Sequence, residues 1–238
     1  IIGVMVISNM LGAISVSAET SDIKVTAIEK VNTDYEIYPS PQSVEYEEGS
    51  FNFGSDVNVV YEKGIDNYTK SRLEDEILKA HSISYEVSDS NQIINGKTNI
   101  LVGVYGSGEA VDRYAEKYTL LTENLFSKTD SYFLVSDNNV ITVLGKDTDS
   151  AFYGLTTLYH IFNQVTDNEI RNFKIEDYAN VVTRGFIEGY YGNPWSVQDR
   201  ADLMTYGGYY KLNAYFYAPK DDPKHRVQWR SEEHTSEL

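Results

Sequence analysis

The sequence predicts an α/β protein: a small strand-and-helix domain followed by the start of a second, parallel-sheet region. Three observations lead there. Apolar runs of strand length alternate with segments of helical periodicity from residue 35 onward. After Asp177 the order becomes strand, glycine-containing loop, helix, strand, the connection that builds parallel sheets. The 238 residues, 41% apolar and 13% aromatic, can bury the core of one or two domains.

The elements follow in chain order. Residues 1–18, IIGVMVISNMLGAISVSA, form an apolar stretch ending in small residues, with Val16 and Ala18 where a signal peptidase reads. A remnant of a cleaved secretory signal is expected, its basic leader lying before Ile1. A membrane anchor fits less well, because the stretch is at the short limit for a span and contains Ser8, Asn9, Ser15 and Ser17. Residues 19–34 read as a linker. In YPSPQSVEYEEGSF (38–51), Pro39 and Pro41 favour extended chain. VNVVY (57–61) is a short strand. DNYTKSRLEDEILKAH (66–81) places Leu73, Ile77 and Ala80 on one helical face.

NILVGVY (99–105) is apolar enough for a strand buried on both faces. SYFLVSDNNVITVLG (131–145) is two β-runs around the turn residues Asp137, Asn138 and Asn139, hence a hairpin. Asp149 is expected to cap a helix whose Phe152, Leu155, Tyr159 and Phe162 recur every three or four residues. Residues 35–177 thus form one α/β domain. Beyond it, VVTRGFIEG (181–189) is a strand ending in glycine, and YYGNPW (190–195) is a loop turning at Asn193-Pro194. Ser196 and Asp199 make a capping box for the helix that follows. LNAYFYAP (212–219) is a second strand, from which Lys220, Asp221, Asp222 and Pro223 emerge. Ligands of such units bind where the strands' carboxyl ends open.

Composition removes whole classes of function. A formal charge of −16 leaves no basic stripe for nucleic acid, and disfavours anionic membrane surfaces. Zero cysteines exclude disulfides, thiolate zinc sites and cysteine nucleophiles. His81, His160, His225 and His234 include no pair four residues apart, so a histidine metal box is absent. His160 reads as packing or surface.

RGFIEGYYGNPWSVQDR followed by NAYFYAPKDDPKHR resembles the first two strands of the catalytic barrel of glycoside hydrolase family 84, the β-N-acetylglucosaminidases that include O-GlcNAcases and hyaluronidases. YPSPQ and SYFLVSDNNVITVLGKDTDSAFYGLTTLYHIF resemble the small α/β domain preceding that barrel, a domain shared with family 20 hexosaminidases. The resemblance spans about residues 35–229. It implies that 178–229 are the first two βα units of a truncated (β/α)₈ barrel, a fold of roughly 250 residues. Residues 230–238, RSEEHTSEL, resemble a translated sequencing adaptor.

The resemblance also implies chemistry: retaining hydrolysis of β-linked GlcNAc in which the substrate's own acetamide is the nucleophile, an exception to the usual carboxylate pair. The two catalytic aspartates are then expected beyond Trp229. Asp221 and Asp222 imitate that pair but fall in the loop after the second strand, where ordering the loop is the expected role. Gly189 matches the glycine whose backbone touches sugar hydroxyls, and Lys220 the lysine that donates to them. Tyr191 lines the same pocket or packs. Trp195 is expected to anchor the loop from beneath, and Glu188 to form an ion pair or a loop hydrogen bond rather than act as an acid. Arg184 and Arg200 carry no assigned role. Gly207-Gly208 implies close packing or a break in the helix. No metal or organic cofactor is implied. The expected partners are β-GlcNAc glycans or glycoproteins, neutral ones being favoured because a polyanion is poorly steered to an acidic protein. The expected setting is extracellular, with no membrane insertion of the mature chain. A non-catalytic glycan-binding protein on this scaffold and a family 20-like hexosaminidase are the alternatives.

Overall fold

Strands buried on both faces need cover on both, and this requirement organises the fold. A computed structural model of the chain describes residues 34–88, 92–188 and 195–217. The chain divides into two compact units, Ile1–Tyr35 and Glu36–Leu238; the second contains every element below. The 1–18 signal stretch and the linker up to residue 33 lie outside the described residues.

Seven strands form one mixed sheet: β1 (Ser43–Asn52), β2 (Asp56–Tyr61), β3 (Ser84–Val87), β4 (Thr98–Val104), β5 (Tyr132–Asp137), β6 (Val140–Gly145) and β7 (Glu169–Asp177). Their spatial order is β1-β7-β5-β6-β4-β2-β3. The β6, β4, β2 and β3 half is parallel, and β1, β7 and β5 close it antiparallel. In β4 every residue from Thr98 to Gly103 is buried. Asn138 and Asn139 both take left-handed φ, 48° and 65°, so a two-residue turn joins β5 to β6 with Asp137 opposite Val140.

Strand alternation sends neighbouring residues to opposite layers. On one side, Val60, Leu101, Phe133, Val135 and Leu144 cluster with Val111 and Ala115 of the short helix α2 (Ala110–Ala115). On the other lie α1 (Asn67–Leu73) and the long α3 (Thr148–Phe162), with Leu155 and Leu158 fully buried.

Three local expectations are corrected. First, α1 passes at Leu73 into a π-helical turn, Glu74–Lys79. That wider turn rotates the apolar face, so Ile77 and Leu78 are buried and Ala80 is exposed. Second, the cap of α3 is Asp147, not Asp149: its extended backbone lets Oδ1 accept from the Ser150 amide at 2.8 Å and the Ser150 hydroxyl at 2.6 Å. Asp149 sits inside the first turn. Third, β1, β3, β7 and α2 join the domain beyond the elements expected. β1 is an edge strand with little burial, and its polar sequence carries no apolar alternation to detect.

A separate parallel pair follows: β8 (Gly185–Glu188), α4 (Val197–Gly208) and β9 (Ala214–Tyr217). Both strands are shorter than expected. Val181 and Val182 instead offer their carbonyls to the Arg184 guanidinium at 2.8 and 3.2 Å.

Candidate active site

The carboxyl ends of β8 and β9 form the rim toward which the sequence directs ligand binding. The strands pair in register, Gly185 with Ala214 and Glu188 with Tyr217. Gly185 permits that approach: a Cβ there would lie 1.7 Å from the Ala214 carbonyl oxygen. α4 starts as expected, Asp199 N donating to Ser196 Oγ at 3.1 Å and Ser196 N to Asp199 Oδ2 at 3.1 Å. Gly207 does both things its sequence context implies: a Cβ there would come within 3.2 Å of Leu212, and the helix ends one residue later.

Glu188, the last residue of β8, is 4% exposed and faces Arg200 of α4, 7% exposed. Arg200 donates through Nε to Oε2 at 2.6 Å and through Nη2 to Oε1 at 2.8 Å. The Tyr215 hydroxyl from β9 donates to Oε2 as well, and the Trp195 backbone amide also bonds this carboxylate. Burial pushes the Glu188 pKa up, but the hydrogen bonds from Arg200 and Tyr215 outweigh it and hold the group below its ordinary value. Burial and the bond to Glu188 push the Tyr215 hydroxyl up to about 12. A carboxylate so surrounded stays ionised and has little capacity to donate a proton, which fits the ion-pair role expected of it. Arg200 also lies 4.7 Å above the Tyr217 ring.

Gly189, Tyr191 and Lys220, and with them Asp221, Asp222 and the 230–238 tail, lie outside the described residues. Their flanks do not: Glu188 precedes Gly189 directly, and Tyr217 stands three residues before Lys220. Trp195 is 45% exposed. The loop it is expected to anchor, residues 190–194, lies outside the described residues.

What sequence reasoning misses is the seam joining the seven-stranded sheet to the β8-α4-β9 unit. Lys211, in left-handed conformation (φ 60°) just after α4, is 6% exposed. Its Nζ donates to the Tyr132 hydroxyl and to Asp177 Oδ2, both at 2.9 Å. Tyr132 donates to the same Oδ2 at 2.9 Å, while Asp177 Oδ1 accepts from the Gln42 and Tyr178 amides at 3.2 and 2.9 Å. Burial drives the Lys211 pKa down against the pull of Asp177. Arg184 adds an ion pair to Asp130 at 2.8 Å and a bond to the Lys211 carbonyl at 3.0 Å. His160 works in packing, as expected: Nδ1 accepts from the Tyr38 amide at 3.1 Å and Nε2 donates to the Tyr209 carbonyl at 2.8 Å. Among the described residues, no three His, Asp or Glu side chains converge as metal ligands would. No described helix is long and apolar enough to cross a membrane.

Comparison with known proteins matches this geometry to a class. The beta-N-acetylglucosaminidase family profile matches residues 184–238, and domain 2 of glycosyl hydrolase family 20 matches residues 34–178. The chain is 46% identical to CpGH84D over 85% of its length, with a TM-score of 0.78, covering 34% of that chain. It is 27% identical to CpGH84B over 84%, with a TM-score of 0.65, covering 33% of it. The protein O-GlcNAcases of Rattus norvegicus and Mus musculus are 50% identical over 46 residues, 19% of this chain and 5% of theirs. A family 20 exo beta-N-acetylglucosaminidase from Vibrio harveyi, solved with N-acetylglucosamine, is 16% identical over 80% of the chain and 28% of its own, with a TM-score of 0.54, and shares the fold. The matched profiles and structures are those of glycoside hydrolase families. The chain belongs to glycoside hydrolase family 84, with a family 20-type domain over residues 34–178. It spans about a third of those solved structures and a twentieth of the curated relatives.

Proposed function

We propose that this chain is part of a secreted, retaining β-N-acetylglucosaminidase acting on β-linked GlcNAc of glycoconjugates. The observation that carries this reading is the beta-N-acetylglucosaminidase match over residues 184–238, which spans β8, α4, β9 and the motifs around Gly189 and Lys220. In this reading β8, α4 and β9 open a (β/α)₈ barrel whose remaining strands follow later in the parent protein.

The chemistry follows from the substrate. The acetamide oxygen attacks the anomeric carbon as the bond to the leaving oxygen breaks, and a carboxylic acid beyond Trp229 gives that oxygen its proton. A second carboxylate there orients the acetamide. Water then opens the oxazoline, surrendering a proton to the first carboxylate, so configuration is retained. This chain contributes the binding half: the Gly189 backbone and the Lys220 ammonium hold sugar hydroxyls, and Tyr191 lines the pocket. Residues 1–18 act as the secretory signal.

The test is release of 4-nitrophenol from its β-GlcNAc glycoside by the longer protein, with Lys220→Ala alongside. Losing a charged hydrogen-bond donor costs about 1.5–3 kcal/mol, so kcat/KM should fall roughly ten- to a hundredfold. Unchanged kcat/KM in that variant would refute the role of Lys220. Glycan binding without turnover would sink the enzymatic reading and leave a non-catalytic glycan-binding protein.

A further inference from the structure

We infer that Glu188 is a positioning residue for substrate binding, whose buried carboxylate fixes both ends of the connection from β8 to α4 and couples them to β9. The inference rests on the reading of Gly189 proposed above. A carboxylate has about four lone-pair sites. Glu188 commits them to donors from three places: the Arg200 guanidinium in the first turn of α4, the Tyr215 hydroxyl in β9 and the Trp195 amide just before α4. Glu188 and Trp195 flank residues 189–194, so one side chain ties the chain entering that segment to the chain leaving it. Arg200 extends the tie by lying over Tyr217, the last residue of β9 and three short of Lys220. Both strand ends that lead to the proposed sugar-binding residues therefore meet on one ion pair.

Stability alone does not explain this arrangement. A buried pair costs desolvation that an apolar pair of the same volume avoids, and such replacements are often neutral or stabilising. What an apolar pair lacks is direction. The bidentate contact sets the angle of Arg200, and hence of α4, against the end of β8. Because parallel sheets bind ligands at their carboxyl ends, that angle is set where the sugar arrives. Proton transfer is the other candidate role, and the filled lone pairs and lowered pKa oppose it.

The experiment measures hydrolysis of 4-nitrophenyl β-GlcNAc by the enzyme and by Glu188→Gln, which keeps the shape and loses the charge. KM is expected to rise at least tenfold while kcat changes less than threefold, the pattern of lost uniform binding. Glu176→Gln is the control. Glu176 is equally buried but lies in β7, where it accepts from the Leu121 and Thr122 amides at 2.6 Å, so this variant should lose melting temperature and keep KM. If Glu188→Gln loses melting temperature with KM within twofold of wild type, the pair is structural and the inference fails. A fall in kcat with a shifted acid limb of the pH profile would make Glu188 a proton-transfer group and overturn it equally. Should Glu188→Gln not fold, Arg200→Lys keeps the cation, loses the two-pronged contact and carries the same KM readout. If the wild-type enzyme releases no nitrophenol, the proposed function falls first, which separates the two failures.

Discussion

Removing either partner of the Lys211–Asp177 pair should destabilise the protein, and by unequal amounts. Breaking a buried ion pair from one side costs about 3–5 kcal/mol. Where each variant falls depends on what the surviving partner keeps. After Lys211→Met, Asp177 retains the Tyr132 hydroxyl and the Gln42 and Tyr178 amides, so its charge stays solvated by three donors. The cost should lie near the lower bound, about 3 kcal/mol. After Asp177→Asn, Lys211 keeps only the Tyr132 hydroxyl and faces an amide in place of a carboxylate, so the cost should approach about 5 kcal/mol. The two variants also differ in pH response. Burial already holds the Lys211 pKa below its ordinary 10.5. Within the window below that value the unfolded chain binds more protons than the folded one, so stability rises with pH. Without Asp177 that window widens, and Asp177→Asn should regain stability as pH is raised from neutrality, whereas Lys211→Met should not. Urea unfolding followed by circular dichroism between pH 7 and pH 10 measures both effects. Equal costs for the two variants, or a larger cost for Lys211→Met, would refute the assignment of partners.

His160 gives a prediction on the acid side. Burial lowers its pKa below the ordinary 6.5, so the unfolded chain takes up the proton first and stability is lost as pH falls below about that value. His160→Gln, whose amide can accept from Tyr38 and donate to Tyr209 without titrating, should flatten the melting-temperature profile between pH 7 and pH 5; an undiminished slope would contradict this. Gly185→Ala places a methyl against the Ala214 carbonyl and should cost about 3 kcal/mol or more, read as early loss of the β8–β9 unit in hydrogen exchange. Asp147→Ala should cost about 1 kcal/mol by removing the cap of α3, and Asp149→Ala distinctly less, a difference that thermal unfolding resolves.

The parts of the fold legible in the sequence are those whose cause is local. The Asn138-Asn139 turn and the Ser196–Asp199 box each need only neighbouring residues, and both form as expected. β4 is legible because burial on both faces leaves a continuous apolar run. β1 and β7 are not, since EYEEGSF becomes a strand by pairing with β7 across more than a hundred residues, and EIRNFKIED by lying between β1 and β5. The π-turn after Leu73 is invisible to a period of 3.6. At the candidate site, an ion pair is among the roles legible for Glu188, but its partner is not: Arg200 lies twelve residues away across one β-to-α connection and carries no assigned role in the sequence. The Lys211–Asp177 bond spans 34 residues and two sheets, and no spacing rule reaches it.

The end of β7 carries a consequence for how such chains can change in length. Glu176 and Asp177 are adjacent and therefore project to opposite sides of the sheet. Glu176 holds the backbone at residues 121–122 on one side, and Asp177 holds Lys211 on the other. A single-residue insertion or deletion within β7 would exchange the two carboxylates and cut both attachments at once. The bulge in β1 between Tyr46 and Ser50, where β1 advances four residues while β7 advances two, shows where extra residues are absorbed instead. Among homologues, length variation should therefore collect in β1 and its turns, while the spacing from β7 to Lys211 stays fixed.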